Sequence, residues 1–183
     1  MRIDDFVSQS EGEWKSMRSG HSLAFQQFEE ILSKIKITLL SKLDPRVLEL
    51  IHHSNEDGNK VTSPFFIEWE AQTNWGEDLS QSNSSGSSVL IPINKTSNDG
   101  IILRSMGYIE PIRAISKYNF LSDGTLNLST KYSSSIAEER IWFLSENVRC
   151  RSSVIRSSNS TSILQTSHAS EIRKLFINNE NRN

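Results

Sequence analysis

Residues 112–155 read IRAISKYNFLSDGTLNLSTKYSSSIAEERIWFLSENVRCRSSVI, and this stretch decides the fold. Leu126, Leu128 and Thr130 alternate with polar neighbours, the period of two that marks a half-buried strand. Ser122-Asp123-Gly124-Thr125 separates that strand from the run Ile112–Leu121. Asp-Gly is the pair a tight hairpin favours, because such a turn needs positive φ at its centre. Ala137–Leu144 and Val148–Ile155 flank Ser145-Glu146-Asn147, a second tight connection. Strands joined by loops this short pair antiparallel, since a parallel crossover needs a dozen or more residues.

The same reading extends in both directions. Towards the C-terminus, Ile163–Ile177 offers a last strand before the polar tail 178–183. Towards the N-terminus, Ile101–Tyr108, Val89–Ile93 and the aromatic-rich Ser63–Gln72 are short runs bounded by turn residues. Ile35, Ile37 and Leu39 alternate with Lys34, Lys36 and Thr38, again a strand. Two helices are expected. Met1–Gln9 carries Ile3, Phe6 and Val7 on one stripe, and Asp44-Pro45 supplies an N-cap and a first-turn proline for a helix ending near Asn55–Gly58. Val47, Leu48, Leu50 and Ile51 form its apolar face. The low-complexity stretch 80–88 (SQSNSSGSS) reads as a flexible loop inside one domain spanning 1–183, and Ser157–Ser162 as a shorter one. Many short strands at close spacing argue for a sandwich or a closed barrel. A short helix, Gly12-x-Trp14 and then consecutive antiparallel strands is the lipocalin-like order, a mainly β closed barrel of eight to ten strands able to hold one small ligand.

Composition removes several function classes. The chain has 183 residues, 20 Lys and Arg against 22 Asp and Glu, and a net charge of −2. That balance speaks against a broadly basic nucleic-acid binder or a polybasic membrane-surface protein. No apolar run approaches the roughly 18 residues of a membrane span. The lone Cys150 excludes an internal disulfide framework, and the N-terminus lacks a signal-peptide pattern, so a reducing, cytoplasmic setting is expected. The four histidines lack metal-ligand spacing, with His52 and His53 expected to point apart on a helix, so no metal site is expected. No phosphate-cradling glycine loop occurs.

The chemistry concentrates in Glu139–Ser153. Strand alternation puts Arg149, Arg151 and Ser153 on one face and Cys150 on the other. Two arginines on one face repel unless an anion or a carboxylate lies near. A hairpin centred on Glu146 sets Glu139 opposite Ser153 and diagonal to Arg151, whereas a two-residue turn shifts the pairing by one and breaks it. Two arrangements fit: a solvated charged face, or a cavity lined with Arg and Glu that suits a ligand bearing carboxylates and N–H donors. Trp14, Ser16 and Arg18 share a second strand face. Trp69 and Trp75 are either core anchors or flat walls for an extended π-system. Cys150 lies between two arginines in sequence, which favours thiolate, but it projects away from both and reads as an ordinary semi-buried cysteine.

Gly12-x-Trp14-x-Ser16-x-Arg18-x-x-His21, Asp44-Pro45-x-Val47 opening a helix, the stretch Glu139–Ser153 and Ser170-Glu171-Ile172-Arg173 occur in this order over nearly the whole chain. Together they resemble the S-type (CpcS/CpeS) phycobiliprotein lyases. The resemblance implies a lipocalin-like barrel that binds a linear tetrapyrrole non-covalently, phycoerythrobilin being favoured over phycocyanobilin. It implies delivery of that bilin to a cysteine of an apo-phycobiliprotein, the phycoerythrin β subunit being the favoured client, with formation of a thioether. The bilin is then a substrate, and no true cofactor is implied. By matching positions, Arg18, Trp69, Trp75, Arg149, Arg151 and Ser153 are the bilin-binding candidates, and Glu139 and Glu171 the catalytic carboxylates. The family often has Leu where this chain has Cys150. A bilin carrier that performs no transfer is the alternative, and a homodimer is the expected assembly. The setting implied is the cyanobacterial cytosol, or the plastid stroma in an alga.

Overall fold

Ten antiparallel strands close into one barrel in the computed structural model, which describes residues 1–54, 56–72, 85–107 and 112–175. They are β1 Gly12–Ser22, β2 Gln27–Leu39, β3 Phe65–Gln72, β4 Ser85–Asn94, β5 Asp99–Arg104, β6 Ala114–Phe120, β7 Leu126–Lys131, β8 Ser135–Ser145, β9 Val148–Ser157 and β10 Ile163–Arg173. Each pairs with its sequence neighbour, and β1 pairs with β10, so no sheet edge is left open. The β6–β7 hairpin turns through Gly124 at φ +85, and Asp123 Oδ1 accepts from the Thr125 amide at 2.9 Å. This is the Asp-Gly turn read from the sequence.

Helix α1 (Ile3–Ser10) closes one end of the barrel. Its stripe Ile3, Phe6 and Val7 is buried in one cluster with Leu90, Ile102, Tyr118, Phe120, Leu126, Leu128 and Ile141. Burying a side chain such as Phe6 is worth about 1.5–3 kcal/mol. The Asp4 carboxylate ties the helix to the segment before β3 by accepting from Thr62 and Ser63, and these bonds together with Arg2 hold its pKa below the usual value against the opposing effect of burial. Helix α2 (Pro45–His52) lies outside the barrel, capped by Asp44, whose Oδ1 accepts from the Arg46 amide at 2.9 Å. Its Val47 and Leu50 cover Val89, Ile91, Ile93, Ile101 and Leu103 on the outer face of β4 and β5. Residues 88–93 of β4 are therefore buried on both faces, which explains a continuous apolar run where other strands alternate. No helix among the described residues is long and apolar enough to cross a membrane.

Three expectations change. Ser85–Ser88 is strand rather than flexible loop: it pairs with β3, with Gly86 opposite Trp69, where any Cβ would run into the indole. A serine-rich composition hides this pairing because the specificity lies in the one residue without a side chain. Helix α2 stops at His52, earlier than the spacing predicts, as Ser54 turns its amide back to the Ile51 carbonyl at 2.9 Å. His52 and His53 do not diverge; their ring centroids are 5.4 Å apart, because the helix ends between them and His53 Nδ1 folds back to the Glu49 carbonyl. Residues 80–84, Trp75 and the tail 178–183 lie outside the described residues.

Candidate functional site

The inward faces of the strands enclose a cavity whose empty space is about 1280 Å³, its open end included. Ile35, Ile37, Phe65, Ile67, Ile102, Leu126, Leu128 and Ile141 make most of the wall apolar. Set into it are Arg18 from β1, Arg104 from β5, Glu139 from β8, Arg149, Arg151 and Ser153 from β9, and Glu171 from β10. Each arrives by parity, since residues two apart on a strand share a face.

The β8–β9 register brings Glu139 opposite Ser153 and Ile141 opposite Arg151. The turn between these strands is the two-residue one, Glu146-Asn147, which alone would shift the pairing. An irregularity between Phe143 and Ser145 restores it, so Leu144 is the extra residue that keeps Glu139 facing inward beside Arg151.

Charges inside the barrel alternate in sign. Glu139 Oε2 lies 3.4 Å from Arg104 Nη2, and its Oε1 lies 3.8 Å from Arg151 Nη1. Glu171 Oε1 lies 3.6 Å from Arg151 Nη2, while its Oε2 accepts from Arg149 Nε. Arg104 Nε also donates to Ser116 Oγ at 2.8 Å, and Ser116 Oγ sits 2.6 Å from Thr130 Oγ1. Arg149 is 2% exposed and Glu171 1%, so this pair is essentially out of water. The Arg149 guanidinium lies over the Trp14 ring, 4.7 Å from its centroid, and the Trp14 indole N–H donates to the Ser10 carbonyl at 2.9 Å. Arg18 pairs with Glu29 at 2.9 Å towards the open end.

Burial pushes the Glu171 pKa up, but Arg151 and Arg149 beside it and the hydrogen bonds from Arg149 and Ser16 outweigh that, and the carboxyl stays below its usual range. Burial lowers the Arg149 pKa against the pull of Glu171. The Arg149 Nη2 nitrogen is buried with no hydrogen-bond partner among the described residues. Four arginines and two carboxylates line the cavity, and with Glu29 paired to Arg18 the four guanidiniums meet three carboxylates, an excess of one positive charge in a mostly apolar wall. Such a site takes a ligand with acidic groups and an apolar body.

Of the residues singled out in the sequence, the barrel gathers Arg18, Trp69, Glu139, Arg149, Arg151, Ser153 and Glu171 around one cavity. Trp75 lies outside the described residues. Ser153 Oγ is 2.8 Å from Ser167 Oγ. Cys150 faces outward opposite Trp142 and Ser170, and burial, with Glu171 second, raises its thiol pKa, so the flanking arginines do not activate it. Arg104 was not singled out by the sequence, and neither was the hold of Glu171 on Arg149 and Arg151. The signal for Arg104 is its parity with Ile102 on β5, and it is obscured because both faces of that strand are apolar.

Comparisons with known proteins bear on the family and the fold. The CpeS-like protein family matches residues 2–174. The chain is 43% identical over 175 residues, covering 94% of itself and 99% of the relative, to chromophore lyase CpcS/CpeS 3 of Trichodesmium erythraeum. It is 41% identical over 152 residues, 82% of this chain and 66% of the relative, to a protein of Microchaete diplosiphon provisionally named phycoerythrobilin lyase CpeS. Its fold superposes on the S-type phycobiliprotein lyase CPES of Guillardia theta with a TM-score of 0.82 and 32% identity, covering 97% of this chain and 95% of that one. With the family match over residues 2–174, these relatives and the shared barrel, the chain belongs to the CpeS-like family of S-type chromophore lyases.

Proposed function

We propose that this enzyme binds a linear tetrapyrrole, phycoerythrobilin in preference to phycocyanobilin, non-covalently in its barrel and attaches it to a cysteine of an apo-phycobiliprotein, the phycoerythrin β subunit being the favoured client. The observation that carries the reading is the set of arginines and carboxylates built into the wall of an otherwise apolar barrel. A bilin brings two propionates and a long conjugated body, which complement that wall in charge and in polarity. The similarity to the Microchaete diplosiphon protein supports phycoerythrobilin. The lone cysteine and the absence of a membrane-spanning helix among the described residues fit a cytoplasmic or stromal setting.

Roles follow from what each group already holds. Arg149 and Arg151 offer charge-assisted hydrogen bonds to the propionates, and the spare Nη2 of Arg149 is a donor awaiting an acceptor. Arg18 takes a propionate by exchanging it for Glu29, which sits nearer solvent. Trp69 gives a flat wall on β3, and Ser153 a hydroxyl at the ligand's edge. Glu139, whose ion pairs among the described residues are both long, is the carboxylate that accepts hydrogen bonds from the pyrrole N–H groups and stabilises a protonated chromophore. Glu171 acts through the arginines it positions. A protonated bilin is more electrophilic at the ring A ethylidene. The client thiolate adds there, one C–S bond forms as the exocyclic double bond is consumed, the chromophore takes up the thiol's proton, and nothing leaves. Much of the rate and selectivity then comes from fixing one bilin conformation. Absorbance titration with both bilins tests the reading: tighter, red-shifted binding of phycoerythrobilin is expected, and no spectral change with either bilin refutes it.

A further inference from the structure

Arg104 stands on β5 and Glu139 on β8, with β6 and β7 between them in the barrel wall. The Arg104 side chain crosses that span and brings Nη2 within 3.4 Å of Glu139 Oε2. Two buried hydroxyls lie under the crossing. Ser116 on β6 and Thr130 on β7 face each other in register, 0% and 1% exposed, with their oxygens 2.6 Å apart. A hydroxyl taken out of water needs a partner, and Arg104 Nε supplies one by donating to Ser116 Oγ at 2.8 Å. The guanidinium is therefore anchored from the wall, independently of the carboxylate it faces. Glu139 is held in another way from Glu171. Glu171 Oε2 accepts directly from Arg149 Nε, whereas Glu139 stands 3.4 Å from Arg104 and 3.8 Å from Arg151. Both distances exceed the roughly 2.7–2.9 Å of a well-made charge-assisted bond. The carboxylate is thus suspended between a braced cation on β5 and a second cation on β9.

We infer that Arg104 is a positioning residue for the transfer: braced by Ser116 and Thr130, it draws the Glu139 carboxylate across the cavity, away from the β9 arginines and onto the pyrrole N–H groups of the bound bilin. The inference rests on the lyase reading above and adds a residue that acts on the chromophore's geometry without holding a propionate. The reason is Coulombic. A propionate that pairs with Arg151 satisfies that guanidinium, and Arg104 is then the cation that keeps Glu139 in place. With Arg104 removed, Arg151 is the cation left in Glu139's printed ion pairs, so the carboxylate closes on it. There it competes with the propionate and leaves the pyrrole nitrogens. A misplacement of about 1 Å in a positioned group can cost on the order of a hundredfold in rate.

Three variants separate the parts. Arg104→Met keeps the length of the stem and removes the charge. Arg104→Lys keeps the charge and loses the fork. Ser116→Ala/Thr130→Val removes both hydroxyls together, so that neither is left without the other. Each is compared with wild type, with Glu139→Gln and with Arg104→Met/Glu139→Gln by melting temperature, by the affinity and spectrum of bound phycoerythrobilin, and by transfer to apo-phycoerythrin β. Arg104→Met should lose most of the red shift of the bound bilin, lower kcat by about tenfold to a hundredfold with the client KM unchanged, and yield mixed thioether isomers. Arg104→Lys should recover much of the red shift, and the hydroxyl variant should fall between wild type and Arg104→Met. Arg104→Met/Glu139→Gln should match Glu139→Gln alone, since a residue acting through Glu139 has nothing further to lose. An Arg104→Met protein with the wild-type spectrum, isomer and kcat overturns the inference, whatever its melting temperature. So do losses in Arg104→Met/Glu139→Gln that multiply those of the single variants, which would put Arg104 on the bilin itself. Should Arg104→Met fail to fold, an unchanged spectrum and rate in Ser116→Ala/Thr130→Val overturns it instead. A wild type that binds bilin with a red shift but leaves the thioether yield unchanged refutes the lyase reading, while the spectra of the variants still decide the role of Arg104.

Discussion

Glu139 and Glu171 lie two strands apart and are separated by what already occupies their oxygens. Glu171 is committed to Arg149 and Arg151, 1% exposed, and its low pKa follows from those cations. Removing it in Glu171→Ala leaves a buried guanidinium uncompensated, for which a loss of about 3–5 kcal/mol is expected in chemical denaturation. An unchanged midpoint would mean water already solvates that pair. Glu139→Gln should behave differently: bilin still binds, but the red-shifted absorbance of the protonated chromophore fades and transfer slows. If Glu139 only neutralises Arg104 and Arg151, the melting temperature falls and the bound spectrum does not move. Arg149→Ala or Arg151→Ala should weaken bilin binding by about 1.5–3 kcal/mol, the range for charged hydrogen bonds, read by titration. Cys150→Ser should transfer within a few-fold of wild type. At this scale the shared face of Arg149, Arg151 and Ser153 is legible from alternation alone, while its inward direction is set only when the barrel closes. Arg104 is not, because α2 covers the outer side of β5 and leaves apolar residues on both faces.

Among the elements, β4 and the β8–β9 hairpin show where local sequence stops being informative. Gly86 has no side chain to announce a strand, yet its bareness is what lets the Trp69 indole lie across it. Gly86→Val should displace that indole, costing about 1–3 kcal/mol by overpacking and weakening bilin binding together with a change in tryptophan fluorescence. Retained affinity would remove Trp69 from the cavity wall's function. The β8–β9 pairing depends on Leu144 as an extra residue, and the turn sequence Glu146-Asn147 does not reveal a bulge two positions away. The Asp44-Pro45 cap, the Asp123-Gly124 turn and the α1 stripe were all legible, since each is a short-range rule satisfied within a few residues.

For the molecule as a whole, the closed barrel follows from consecutive antiparallel strands, while its charge balance emerges only once distant strands meet. The depressed pKa values of Glu171 and Asp4 give a pH dependence of stability. Both carboxylates contribute stability that is present above their unfolded values, near pH 4, and lost as pH falls through the lower folded ones. The urea midpoint should therefore hold from neutral pH down to about pH 5 and drop on further acidification; a midpoint that rises on acidification would contradict the assigned ion pairs. The central claim, that this barrel positions a bilin for attack by a client thiol, is tested most directly by transfer itself. Phycoerythrobilin is mixed with apo-phycoerythrin β with and without the protein, and the adduct is read on a zinc-stained denaturing gel and by its absorbance spectrum. The account predicts a higher yield of a single thioether isomer with the protein present, abolished in the double variant Arg149→Ala/Arg151→Ala. The same yield and isomer mixture with and without the protein would show a carrier and contradict it.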